Sequence, residues 1–460
     1  MDYQSINPYD AAVLQSFDTI TDAQLEEKIQ AAATCFAVWQ AKTFEQRGAI
    51  LAKASSLMVS QMNAFARPVT LEMGKPFEQS CGEVTLSADI IAYYGLNGAD
   101  FLAPVPIKTK AGDATIESDP LGVLFGVQPW NFPYYQLARF AAPNLMAGNV
   151  VMVKHAGSVP QCAIAFEQLW RDAGAPEGAY TNLFVSHDQI DRIIADPRIK
   201  GVAFTGSVEA GRTIAQKAGQ SLKKSTMELG GSDPFIVLED AHLDSAVKWA
   251  VMAKMNNTGQ SCIAAKRFIV VESLADAFLE KFQQALAALK PGDPMDAATT
   301  LAPLSSERAL TNLLDQVQRA IAAGAILVAG GKRLNRKGAF MQPTILRNIK
   351  PDNPAYHEEF FGPVALFFRV KNEDEAIMLA NDSLFGLGAA VFTQDEQRAK
   401  RAASRINSGM VFINRPTSSA PELPFGGVMN SGYGRELSSL GIHEFVNKKL
   451  VCVAGKPKAP

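Results

Sequence analysis

Ala203-Phe204-Thr205-Gly206-Ser207-Val208-Glu209-Ala210-Gly211 reads as the end of a strand, a glycine turn and the opening of a helix. In a doubly wound sheet such a corner offers backbone N–H groups and the positive end of a helix dipole to a phosphate. The spacing is not a full G-x-G-x-x-G, because Val208 stands where a second glycine would let a pyrophosphate approach the backbone. Phosphates bound here must sit differently and be held less tightly. Taken alone, the string fits a plain strand–turn–helix corner equally well.

The same alternation surrounds it. Short β-branched runs at 122–127, 150–154, 202–205 and 235–238 are separated by helical stretches, including 161–173 and 207–219. A second βα series starts near 267–272 and continues through 326–329, 364–370, 389–393 and 410–414. This order predicts an α/β fold with two doubly wound parallel-sheet domains and a cleft between them. Ahead of them, 22–100 is helical in pattern: 23–37 and 43–62 carry apolar residues at spacings of three and four. Residues 107–118 alternate across an Ala-Gly-Asp turn, which predicts a polar hairpin with free edges suited to pairing with another subunit.

Length and composition agree with this reading. A chain of 460 residues exceeds one ordinary domain, and its 47% hydrophobic and 20% charged residues are those of a globular protein. A net charge of -2 without basic runs gives no reason to expect a nucleic-acid partner. The apolar stretches are strand-sized, and Met1-Asp2-Tyr3-Gln4-Ser5 lacks the basic and apolar regions of a signal peptide. Five scattered cysteines and five scattered histidines form neither a disulfide framework nor a metal site. A cytoplasmic enzyme without a structural metal is expected.

Five further strings carry chemistry. Cys262 ends the polar run Asn257-Thr258-Gly259-Gln260-Ser261-Cys262, where a thiol can meet a substrate carbonyl and attack it as a thiolate. Glu228, in Glu228-Leu229-Gly230-Gly231, can serve as base for that thiol or for a water that follows it. Asn131, within Pro129-Trp130-Asn131-Phe132-Pro133, has amide donors on a stiff backbone and suits an oxyanion; it equally suits the closing of a turn. Lys154, at the end of a buried strand in Lys154-His155-Ala156-Gly157, can bond ribose hydroxyls or a phosphate, or simply be solvated. Glu359 and Phe361, in Glu358-Glu359-Phe360-Phe361-Gly362-Pro363, can grip a ribose and pack on a nicotinamide; the string also reads as a helix end before a strand.

Together these strings resemble the aldehyde dehydrogenase superfamily. The match runs in order through Glu72-Met73-Gly74-Lys75-Pro76, 129–133, Phe204-Thr205-Gly206-Ser207, 228–231, Gly259-Gln260-Ser261-Cys262, 358–363 and Pro424-Phe425-Gly426-Gly427. The resemblance implies that Cys262 is the nucleophile, forming a thiohemiacetal with an aldehyde. Asn131 and the Cys262 amide then hold the oxyanion, hydride leaves for a nicotinamide, and Glu228 activates the water that hydrolyses the thioester. Relatives that pass the acyl group to coenzyme A generally lack this glutamate, so a free acid is expected. Trp130, Lys154, Thr205, Gly206, Ser207, Leu229, Glu359 and Phe361 fall on cofactor positions. The implied architecture is a cofactor domain (1–102 and 119–230), a catalytic domain (231–446) and a bridging extension (103–118 with 447–460), in a homodimer or dimer of dimers.

Within the superfamily the chain is most similar to short bacterial succinate-semialdehyde dehydrogenases. Arg139 matches an arginine that grips substrate carboxylate there, a task suited to its planar fork. Ser419, beside Ser418, is a supplementary carboxylate contact in the same reading. Asn256 replaces a second arginine and Ala264 a redox-active cysteine of some relatives, which implies weaker carboxylate binding, broader aldehyde tolerance and no disulfide switch of that kind. Gly157 stands where NAD-specific relatives often carry a ribose-binding glutamate. With Ser158 as a further donor, NADP is expected to be accepted, alongside NAD. The alternatives are a dehydrogenase of unsubstituted aliphatic or aromatic aldehydes and a retired member serving as a binding protein, which intact Cys262, Glu228 and Asn131 argue against.

Overall fold

The computed structural model describes residues 3–454. Met1 and Asp2, and the 455–460 end of the expected bridging segment, lie outside the described residues. Four helices, Asp22–Gln40, Phe44–Ser60, Met62–Met73 and Phe77–Phe101, account for the helical pattern of the first hundred residues. Thr21 and Thr43 start the first two through reciprocal capping boxes with Gln24 and Gln46.

The first sheet has six strands in the order Gly432–Tyr433, Lys224–Glu228, Ile199–Thr205, Val123–Gln128, Val150–His155 and Tyr180–Asn182. All run parallel except Gly432–Tyr433. The strands 123–128 and 150–155 are buried along their whole length, as a parallel sheet covered on both faces requires. The second sheet has seven strands in the order Ile326–Ala329, Thr344–Arg347, Val364–Val370, Ala265–Val271, Asp233–Val237, Gly388–Phe392 and Met410–Ile413. Here the edge strand 326–329, expected within the βα series, pairs antiparallel with its neighbour.

Three further features depart from the sequence reading. Tyr3–Ile6 and Val13–Phe17 form an N-terminal hairpin where no strands were expected. Lys224–Glu228 is an additional parallel strand that ends on Glu228. After residue 424 the chain returns to the first sheet: Phe425, Leu437, Ile442 and Phe445 lie in its core, and Gly432 pairs with Glu228. The expected 231–446 division therefore does not follow the packing over this last stretch, because these apolar side chains are buried by the first sheet.

Val446–Val453 pairs antiparallel with Asp113–Pro120, which pairs in turn with Val105–Ile107. This three-stranded ribbon leaves Val105, Ile107, Leu450 and Val453 exposed. Among the described residues no helix is long and apolar enough to cross a membrane.

Candidate active site

The loop that delivers Cys262 is unusual before any ligand is considered. Asn257, Thr258 and Gly259 follow one another with φ of 52°, 53° and 78°. Left-handed backbone is costly for residues with a Cβ, so the surroundings must enforce it. Asn257 Nδ2 donates to the carbonyls of Asn131 (2.8 Å) and Gln260 (3.0 Å), and its backbone N–H donates to Gln79 at 2.8 Å. Gly259 is required by contact, since a Cβ there would lie 2.2 Å from the Gly362 carbonyl oxygen.

Across the loop stands Asn131. Its Nδ2 donates to the Gln260 carbonyl at 3.1 Å, and its Oδ1 accepts from Gln136 at 2.9 Å. One Nδ2 hydrogen remains for a ligand, where the sequence had offered two. Gln136, which the sequence reading missed, thus fixes which way the amide points; it lies on the helix Pro133–Ala147, three residues before Arg139.

Two cavities meet at Cys262 and Gln136. One, of about 270 Å³, is walled by Trp130, Asn131, Thr205, Gly206, Ser207, Glu228, Leu229, Glu359 and Phe361. Every one of these was a candidate from sequence. Trp130 and Phe361 meet edge to face, with centroids 5.8 Å apart. Gly211 lets the helix Val208–Gln220 press onto Leu229, where a Cβ would approach to 2.4 Å. The Ser207 hydroxyl is already engaged, because it caps this helix by accepting from Ala210 N–H. The cap uses one lone pair of this oxygen, so its O–H and its backbone are what Ser207 can offer a ligand.

Lys154, Gly157 and Ser158 are not in that wall. They sit at and beyond the end of the neighbouring strand, beneath the N-terminal hairpin. The Gly157 carbonyl accepts from Gln4 N–H at 2.9 Å, and the Lys154 ammonium lies 5.7 Å from the Tyr3 ring. No described carboxylate pairs with Lys154, and burial lowers its pKa to about 8. A phosphate placed there would favour its charged form, which accords with a dinucleotide carrying an extra phosphate.

The second cavity, of about 160 Å³, is walled in part by Phe132, Tyr135, Arg139, Asn256, Ser418 and Ser419. Arg139 is not a free fork. Its Nε makes a close ion pair with Glu436, Nη1 donates to the Tyr135 hydroxyl at 3.3 Å, and Nη2 donates to the Thr205 hydroxyl at 3.2 Å. Burial opposes its charge, but Glu436 and Tyr135 more than restore it and hold the guanidinium firmly ionised. Glu436 thus already offsets the charge of the residue expected to grip a substrate carboxylate. Ser419 shares a 2.8 Å hydrogen bond with the Tyr135 hydroxyl, so Ser419, Tyr135 and Arg139 form one chain of polar groups. Ser418 accepts from Arg415 at 2.9 Å.

Cys262 and Glu228 are themselves desolvated. Burial pushes the Cys262 thiol up to about 12, against the pull of Arg139 and Lys266; Glu359 and Glu228 add to the rise. Glu228 is buried, and neither carboxyl oxygen has a hydrogen-bond partner. Burial raises its pKa well above the carboxyl range; the Arg139 charge opposes this and Glu436 reinforces it. Such a group is a strong base once ionised. Lys266 is a second residue that sequence reasoning missed. A lysine at the head of the buried strand 265–271, four residues after the thiol, was the available signal.

The sequence matches the model of the aldehyde dehydrogenase family over residues 1–451. A protein of Deinococcus radiodurans named succinate-semialdehyde dehydrogenase, NADP(+), is 51% identical over 449 residues, covering 98% of this chain and 94% of the relative. One of Synechocystis sp., named as a probable enzyme of the same kind, is 45% identical over 450 residues, covering 98% and 99%. The crystal structure of succinic semialdehyde dehydrogenase from Streptococcus pyogenes in complex with NADP+ superposes with a TM-score of 0.97 at 44% identity, covering 98% of this chain and 100% of that one.

The Glu228 environment has a consequence for stability. A carboxyl whose folded pKa exceeds its unfolded value keeps its proton longer in the folded state. Its contribution to stability therefore falls as pH rises from the unfolded value toward the folded one. Glu228→Gln removes that penalty. Thermal melts should show the variant more stable than wild type near about pH 8, with a margin that shrinks as the pH approaches about 5. A margin that does not change with pH would mean that Glu228 is ionised within the fold.

Proposed function

The chain belongs to the aldehyde dehydrogenase family, and from that membership we propose that it oxidises succinate semialdehyde, or a closely similar small ω-carboxy aldehyde, to the free acid with NADP as oxidant, NAD also being accepted. The observation that carries this reading is the meeting of two cavities at one thiol. One cavity holds a strand–turn–helix corner with Thr205 and Glu359 on its wall; the other is lined by the polar chain Ser419–Tyr135–Arg139.

In this reading the aldehyde enters the smaller cavity and its carbonyl carbon meets Cys262. Glu228, when ionised, takes the thiol proton as the C–S bond forms. The remaining Asn131 N–H and the Cys262 amide, which donates to no described protein acceptor, hold the oxygen that gains charge. A nicotinamide dinucleotide bound in the larger cavity supplies the hydride acceptor. Once its first proton has passed to solvent, Glu228 takes a proton from the water that cleaves the thioester and returns it to the departing thiolate, releasing the acid and the thiol.

The substrate carboxylate is received by Ser419, Ser418 and the N–H groups that Arg139 still has free. Because Glu436 offsets the arginine charge, the preference for an acid substrate is moderate rather than absolute. Removal of Arg139 would strand Glu436 as an unpaired buried carboxyl, at a cost of several kcal/mol, about 3 to 5. Ser419 is therefore the cleaner probe of the carboxylate contact. The exposed apolar residues of the three-stranded ribbon are the surface through which two copies associate, as a homodimer or a dimer of dimers.

Initial rates with succinate semialdehyde and butyraldehyde should differ in kcat/KM by roughly tenfold in favour of the acid, about 1.4 kcal/mol. Ser419→Ala should narrow that ratio by raising KM for the acid alone. Equal rates in wild type would assign the chain to dehydrogenases of unsubstituted aldehydes. Gly157→Glu should turn the enzyme toward NAD, because a carboxylate there repels a 2′-phosphate. Undiminished NADP affinity in that variant would remove Lys154, Gly157 and Ser158 from the cofactor site. Light scattering should find an oligomer that Leu450→Lys dissociates; a monomeric wild type would sink the association proposal.

A further inference from the structure

We propose that Lys266 is a positioning residue that links the reactivity of Cys262 to the position of Glu359. The inference rests on the reading of Cys262 as nucleophile. Lys266 is wholly buried, and its ammonium meets three acceptors. Nζ donates to the Ser261 carbonyl at 2.8 Å and the Cys262 carbonyl at 2.6 Å, and it pairs with Glu359 Oε1 at 3.2 Å. The first two contacts hold the turn that carries the thiol. The third decides how much positive charge that turn experiences.

Glu359 is the movable partner. It stands on the wall of the larger cavity and is partly exposed, whereas Lys266 has no access to solvent. Its carboxylate rests on the glycine pair after Glu228: Oε1 accepts from Gly231 N–H at 3.0 Å, and a Cβ on Gly230 would lie 2.3 Å from Oε2. These are contacts that a polar ligand in the cavity can exchange for its own. With Glu359 in place, the lysine charge is offset. With Glu359 turned away, the ammonium acts unopposed on the neighbouring thiol and favours the thiolate.

Three of the other charges around this pair are held by contacts of their own. Cys262 faces Arg139 and Glu228 besides Lys266 and Glu359, and Arg139 is held by Glu436. Lys266 faces Lys254 and Asp233 besides Glu359. Lys254 is bonded to the Val364 carbonyl, and Asp233 accepts from Gly388 N–H. Of these groups only Glu228 also stands on the wall of the larger cavity, and among the described residues no ion pair joins it to Lys266.

The test is the pH dependence of iodoacetamide alkylation at Cys262, followed by mass spectrometry of its peptide in the full chain without cofactor. Glu359→Gln keeps a hydrogen-bonding side chain and removes the opposing charge, so the thiol should titrate lower. At neutral pH it should react about threefold faster for each unit of that fall, since tenfold more thiolate is partly offset by lower nucleophilicity. Lys266→Met should move the profile the other way. Opposite shifts identify charge coupling. Shifts in the same direction, or none, overturn it and leave Lys266 as a support of the loop. If Lys266→Met fails to fold, Glu359→Gln decides alone, and an unshifted profile overturns the proposal. Aldehyde turnover of wild type is measured separately: no oxidation beside a shifted alkylation profile would sink the proposed function and leave the coupling standing.

Discussion

The left-handed turn at 257–259 is the constraint from which the rest of the site follows. Two of its three residues have a Cβ, and each costs about 1 to 2 kcal/mol in that conformation. The turn persists because Asn257 ties it to Asn131 and Gln260, and because Gly259 fits against Gly362 with no space for a side chain. The same bonds that force the backbone also set the Asn131 amide beside the loop that ends on Cys262. Asn131 and Cys262 come from different sheets, and the turn makes one rigid unit of them.

Around this unit the protein accumulates buried charge. Arg139 and Glu436 form a close ion pair beside Glu228, and Lys266 is enclosed with Glu359. Lys75 and Glu83 pair beneath Phe132, and Glu83 also accepts the N–H groups of Tyr134 and Tyr135 at the start of the helix 133–147. Buried pairs add little to stability compared with well-packed apolar side chains. Their value here is geometric: Glu83 anchors the helix that carries Gln136 and Arg139, and Arg139 reaches Thr205 in the larger cavity. Glu228 is the exception, being buried without any hydrogen-bond partner. It is the group with most to gain from a water molecule, which suits a base that must hold one.

The alternation of β-branched runs and amphipathic stretches was legible as two parallel-sheet domains because burial on both faces imposes that pattern on each strand locally. The candidate residues facing the larger cavity were legible through the ordered strings that resemble the aldehyde dehydrogenase superfamily. They sit at strand ends and glycine turns, where chain punctuation marks the carboxyl edge of a sheet. Short or edge elements were not legible: the strand 432–433 exists through its pairing with Met227 and Glu228, and the hairpin 3–17 pairs within itself and is tied to Gly157, just beyond the strand 150–155.

From the order of residues alone came the α/β architecture, the thiol, carboxyl and amide of the candidate site, and the corner at 204–207. Each of these depends on periodicity or on a short string whose backbone needs are local. Folding in three dimensions decided that Arg139 is neutralised by Glu436, that the Ser207 hydroxyl caps its own helix, that residues 425–446 pack on the first sheet, and that Lys266 stands between Cys262 and Glu359. Charge pairing and desolvation act through space between segments far apart in the chain, so no local pattern records them.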